Sequence, residues 1–426
     1  MAQATAAHQT ARERLSFFYL NIGHFLDHLF TLVYATVAAL ALHKEWGLSY
    51  AELVPYATPG FIAFGLFSLP AGRLADKWSR HGMMVVFFIG IGLASIATGF
   101  AQSPWQIGVL LFIVGVLAAI YHPVGLAMVV DSAKASGTGM AIGINGVWGN
   151  LGVGSAALIT GWFIDHGGWR AAFIAPGILS ILIGIAYWWH ERDAIAAAAN
   201  KPKATGATSS ATAGLSPAAK SALLRLTAIV FFTTAVSSLV FQSTTFALPK
   251  VFAERLQGIT GLEGTVGAAT TVGWLAFVVF AIASVAQLIV GTMLDKYGPR
   301  LVFMAVAAIQ VVFFWIMPGL TDWWALAIAL GFMLGAFGQI PINDYMIGRM
   351  AKSELRATIY GVRYVVSFTV LAAALPLIAY IHGRYGFDVL FRVLSIAAAV
   401  IFLAVTLLPK QIPEGGAVAA PTAARA

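Results

Sequence analysis

Apolar residues along this chain come in long runs, each ended by a short cluster of charged, glycine or proline positions. A helix needs about 20 such residues to cross a bilayer. By that measure the pattern predicts twelve crossings, near 16–42, 51–72, 83–101, 105–130, 138–164, 171–190, 222–249, 266–293, 301–319, 323–348, 357–381 and 388–409. Between the sixth and seventh, residues 191–221 are rich in Ala, Ser, Thr, Gly and Lys and carry no apolar period, which reads as a flexible linker. The expectation is an all-α membrane protein of twelve transmembrane helices in two pseudo-symmetric six-helix bundles. The N-terminal bundle is assigned to 1–190, a cytoplasmic linker to 191–221, the C-terminal bundle to 222–410 and a flexible tail to 411–426.

Polar residues inside these runs are the exceptions that carry information. In the first helix Asn21, His24, Asp27, His28, Thr31 and Tyr34 recur every three or four residues and so lie on one stripe. A charge in the hydrocarbon core costs several kcal/mol if it faces lipid, so such a stripe faces an interior path for solute or protons. Asp27, with His24 and His28, is the candidate proton carrier. His24 and His28, one turn apart around Asp27, also have a spacing compatible with a divalent metal, and His122 in "AIYHPVG" could add a nitrogen. Pro123 removes a backbone donor and predicts a kink in the fourth helix, which makes His122 a wall of the cavity.

Composition sharpens the class. Of 426 residues 60% are hydrophobic and only 10% charged, against about a quarter charged in soluble domains. The mean hydropathy is +0.85. There is no cysteine, so disulfides and thiolate metal sites are excluded. The apolar run after Arg12 and Arg14 has no convincing small-residue cleavage site and reads as a first membrane helix. Most Lys and Arg fall in segments that share a side with the N-terminus, which places both termini in the cytoplasm. The net charge of +8 then meets anionic headgroups and needs no nucleic acid. No H-E-x-x-H, G-x-S-x-G or phosphate-loop motif occurs, so neither an enzyme nor ATP as energy source is expected, and no cofactor or obligate protein partner is implied.

The two halves are related. "GRLADKWSRH" after the second helix matches "GTMLDKYGPR" after the eighth, with Gly72, Asp76 and Lys77 on Gly291, Asp295 and Lys296 at an offset of 219. "HPVGLAMVVDSAKASGTGMAIG" matches "IPINDYMIGRMAKSELRATIYG", with Pro123 and Met128 on Pro341 and Met346 at an offset of 218. Two nearly equal offsets argue for an internal duplication, with the solute path between the halves.

These loops, together with "GGWRAAFIAPG" at 167–177, resemble the major facilitator superfamily over essentially the whole chain. The resemblance implies alternating access by rocking of two bundles, with the loop charges latching one state. Gly72, Asp76, Arg80, Gly291, Asp295 and Arg300 are the gating candidates; Ser79 takes the usual second glycine position of the first copy. Gly72 and Gly291 allow close helix contact, and Asp76 or Asp295 can accept hydrogen bonds at a neighbouring helix N-terminus. The His-Pro pair, with a His and Asp in the first helix, loosely resembles the fosmidomycin-resistance branch, which exports an anionic antibiotic, but Val124 follows the pair where that branch has an acidic residue.

The remaining candidates for a solute site are Asn145, Trp148, Gln242, Asn343, Asp344, Arg363 and Tyr364, beside Asn21, Tyr34 and His122. Arg363 is either paired with Asp344 or free to grip a carboxylate or phosphonate bidentately. The function expected is a secondary transporter, proton-coupled, for a small and anionic organic solute in a bacterial inner membrane. The alternatives are an efflux pump for cationic or amphipathic drugs, a divalent-metal carrier using His24, Asp27 and His28, and a membrane solute sensor.

Overall fold

A computed structural model describes residues 2–132, 138–199, 217–260, 267–350 and 356–408. The described residues are helices joined by short turns. Spans long and apolar enough to cross a membrane are α1 (Ala11–Trp46), α2 (Tyr50–Lys77), α3 (Arg80–Gly99), α4 (Pro104–Ser132), α5 (Ala141–Gly167), α6 (Trp169–Ala198), α7 (Leu224–Arg255), α8 (Ala268–Tyr297), α9 (Pro299–Ile316) and α10 (Asp322–Met346). The continuous helix Arg356–Thr406 is too long for one crossing at 1.5 Å per residue. It is broken at Gly386, whose φ of 74° is open to glycine and closed to most side chains. The break separates α11 (356–385) from α12 (387–406), which gives the twelve crossings the pattern predicts. The chain is an integral membrane protein.

Helix ends follow the local sequence. Ser49 and Glu52 form a reciprocal capping box at the start of α2, and Ser79 and Ser103 cap α3 and α4. In α4 the predicted kink is a wide turn over Tyr121–Gly125, centred on Pro123. The linker expectation needs adjustment at both ends: the helix of α6 runs on through Ala199 and that of α7 starts at Pro217, so helix occupies part of 191–221.

Within the first six helices α1 packs on α5, α3 on α6 and α2 on α4; in the second six α8 packs on α10 and α9 on both α10 and α12. The halves meet along two seams, α5 against α8 and α2 against α11. Small residues set the first seam: a side chain at Gly273 would collide with the Ala157 carbonyl, and one at Gly161 with that of Ala269. In the second, Gly383 lies against Ala51 and Gly65 against Phe368.

Polar contacts across the seams gather at the end remote from the termini. Asp165 of α5 accepts from both the backbone N–H (2.7 Å) and the hydroxyl (2.5 Å) of Thr270, in the first turn of α8. Gly267, which precedes that helix, offers no side-chain cap, so the opposite half supplies it. Tyr50 of α2 meets the His382 ring of α11 edge-on at 5.3 Å, and His382 lies 3.0 Å from Glu254 of α7. At the termini-bearing end the charged groups among the described residues pair inside one half instead. Arg80 donates to Asp76 (2.9 Å) and Asp131 (2.5 Å), and Ser16 donates to Glu191. The gating candidates stand as follows in this state. Asp76 pairs with Arg80 one turn away rather than with a neighbouring helix N-terminus. Among the described residues nothing lies within 4 Å of where a side chain at Gly291 would sit, whereas Gly72 packs on Pro123. Asp295 is exposed and Arg300 half-buried.

Candidate functional site

The polar stripe of α1 faces the interior of the first bundle, against α4 and α5. Asp27 is 0% exposed, and neither of its oxygens accepts a hydrogen bond from a described residue. Its ionisable neighbour is His122 of α4, whose Nε2 lies 3.4 Å from Oδ2. The wide turn at Pro123 sets the rotation of α4 that brings His122 across to α1.

The other two histidines join the same place. His24 and His28 approach with their Nε2 atoms 3.2 Å apart. His24 Nδ1 lies 2.7 Å from the Asn145 carbonyl of α5. A carbonyl can only accept, so Nδ1 carries the proton there and a neutral His24 presents the Nε2 lone pair to His28. The His122 ring stands edge-on to His24 (5.4 Å) and His28 (5.5 Å). One coordinating nitrogen from each of the three imidazoles falls within a 4.8 Å group. The ring of His24 has room because residue 149 is glycine: a side chain there would sit 2.6 Å from Nε2.

Beside the imidazoles a neutral network fixes the helices. Tyr121 stacks on His24 at 5.0 Å and donates to the Leu20 carbonyl at 2.8 Å. Asn145 donates to Asn21 (3.0 Å) and to the Tyr121 hydroxyl (2.9 Å), which binds α1, α4 and α5 at one point. Tyr34, expected at a solute site, instead donates its hydroxyl to the Leu53 carbonyl at 2.6 Å. It lines a small apolar cavity of about 20 Å³ with Phe30, Phe61 and Phe64 inside the first bundle. Trp148 packs edge-on to Phe18 at 5.5 Å.

From the charged cluster a chain of rings leads to the other half. His122 stacks on Phe64 (5.7 Å), and Phe64 stacks on Phe368 of α11 (3.9 Å). In the second half the candidate residues are mostly uncharged. Asn343 is buried and accepts weakly from Thr234 at 3.5 Å, Ser238 donates to Ser367 at 3.0 Å, and Gln242 is half-buried. Arg363 donates to Asp344, so of the two sequence readings the pairing is the one formed here. The side chain of Tyr364 lies outside the described residues. Sequence reading passed over Phe64, Phe368, Asp165 and Thr270. Asp165 carries a signal, a carboxylate at the end of an apolar run, whereas nothing distinguishes the two rings among 29 phenylalanines.

Comparison with known proteins supplies the family. A model described as "Major Facilitator Superfamily" matches residues 20–268 and 230–425. A gallate transporter of Pseudomonas putida is 27% identical over 151 residues, which cover 35% of this chain and 34% of that protein. The match thus spans about a third of that relative's length. A probable 4-methylmuconolactone transporter of Cupriavidus pinatubonensis is 25% identical over 357 residues, 81% of this chain and 78% of its own. Among solved structures, a bacterial homologue of the human lysosomal transporter Spinster superposes with a TM-score of 0.66 at 17% identity, covering 93% of this chain and 97% of that one. That likeness speaks for the fold.

Proposed function

Since the chain belongs to the major facilitator superfamily, we propose that it is a secondary transporter that carries a small organic carboxylate across the membrane by alternating access. The observation behind this reading is the buried Asp27 with its imidazoles, set in one of two duplicated bundles that touch along two seams. A fully buried carboxylate calls for a positive charge beside it. A mobile cation that arrives and leaves can meet that need, and a proton shared by Asp27, His24, His28 and His122 is the simplest such cation. Loading it changes the charge of the cluster, and the His122–Phe64–Phe368 stack offers a mechanical route from that change to the second bundle.

The carboxylate class draws on the gallate transporter among the relatives and on the hydroxyl and amide groups of the second half. Arg363 would grip the solute only after exchanging Asp344 for it. Seams tied at the remote end correspond to the state closed on that side. With the termini in the cytoplasm of a bacterial cell, that is the state sealed toward the outside. In the other state the Asp76 and Asp295 loops would take over as latches.

The test is counterflow in proteoliposomes loaded with unlabelled gallate. Transient accumulation of labelled gallate above equilibrium supports a carrier. Saturable binding to the purified protein without counterflow would make it a sensor and overturn the reading.

A further inference from the structure

We propose that His24, His28 and His122 form a binding site for one divalent transition-metal ion of the imidazole-preferring kind, such as Zn²⁺, Co²⁺ or Ni²⁺. The inference is independent of which solute is carried.

Four observations support it. First, three imidazoles from two helices converge, with one ligand nitrogen from each inside a 4.8 Å group. In a tetrahedral zinc site with bonds of about 2.0–2.1 Å, ligand nitrogens stand about 3.3 Å apart. The His24 and His28 nitrogens already stand at 3.2 Å, so only His122 has to close in by a side-chain rotation. Second, His24 is held as a metal ligand is held. Its Nδ1 proton is engaged by the Asn145 carbonyl, which fixes the ring and directs the Nε2 lone pair at His28. Third, Asp27 lies fully buried behind His122, with its Oδ2 3.4 Å from Nε2. A carboxylate in that position raises the basicity of a histidine ligand and supplies negative charge to a bound cation. Fourth, the donor set is all nitrogen, with no thiolate in the chain and one carboxylate set back, which favours zinc, cobalt or nickel over calcium or magnesium.

A divalent ion held by these imidazoles beside Asp27 would occupy the cluster that loads the proton, and it is expected to compete with it.

The experiment uses the full chain, purified in detergent with any affinity tag removed, and titrated with Co²⁺ and Zn²⁺. The expected result is one ion per chain by calorimetry and intense visible absorption from low-symmetry Co²⁺, displaced by Zn²⁺. Affinity should fall at least about tenfold in His24→Ala and His122→Ala. Gly149→Ala, which crowds the His24 ring without removing a ligand, should also weaken binding. His81→Ala, beside Glu191 at the termini-bearing end, should leave it unchanged. Absence of Co²⁺ absorption in the wild-type chain, or affinity lost with His81→Ala and kept in His24→Ala, overturns the proposal. The wild-type spectrum decides the matter even if a variant fails to fold.

Discussion

Asp27 is fully buried, and a buried carboxylate carries a desolvation cost that packing does not repay. Asp27→Asn keeps the shape and removes the charge. Its thermal unfolding midpoint is predicted to equal or exceed that of the wild type, since the desolvated charge is gone; a clear loss of stability would mean that Asp27 is a structural ion-pair partner. Tyr121 is the opposite case. Its hydroxyl donates to the Leu20 carbonyl and accepts from Asn145, so Tyr121→Phe removes a partner from one buried acceptor and one buried donor and should cost about 1–3 kcal/mol, read as a lower unfolding midpoint. At this scale the sequence reveals one helix face at a time. Spacing alone puts His24, Asp27 and His28 on one stripe, and the His-Pro pair places His122 on a cavity wall. That Asn145 lends its carbonyl to His24, or that Tyr34 turns to Leu53, depends on the rotation of facing helices, which no spacing encodes.

At the scale of elements, hydropathy is a strong signal because a lipid-facing helix tolerates so few charges. All twelve crossings were legible, including the close pair α11 and α12, which the break at Gly386 separates within a continuous helix. The seams were not legible, because alanine and glycine are common in every helix and only contact gives them meaning. One sign of their origin survives in the numbering. Asp165 and Thr270 in one seam shift by 218 and 219 residues onto Gly383 and Ala51, which touch at the same place in the other. The duplication thus kept the contact and specialised one copy into a polar cap. Removing that cap should bias the protein away from the state closed at the remote end, by about 0.5–2 kcal/mol on the scale of helix caps. The cysteine-free chain permits a direct readout. With Phe61→Cys in the seam region facing Phe246, a membrane-impermeant maleimide applied from the remote side should label Asp165→Ala several-fold faster than its parent. Equal rates would show that Asp165 holds no gate.

For the whole molecule, the two halves share a fold and divide the chemistry. The first gathers a buried carboxylate and three imidazoles, and the second offers hydroxyls, amides and an arginine neutralised by Asp344. That division suits coupling, with a cation loaded on one side of the path and solute held from the other. The measurement that tests it most directly is accumulation of labelled gallate in proteoliposomes under an imposed pH gradient, wild type against Asp27→Asn. The gradient is expected to drive wild-type accumulation, and Asp27→Asn to lose at least about tenfold of it, a change of about 1.4 kcal/mol, while still exchanging gallate down its own gradient. Gradient-driven accumulation that survives intact in Asp27→Asn would contradict the central claim, and the cation would then have to load elsewhere.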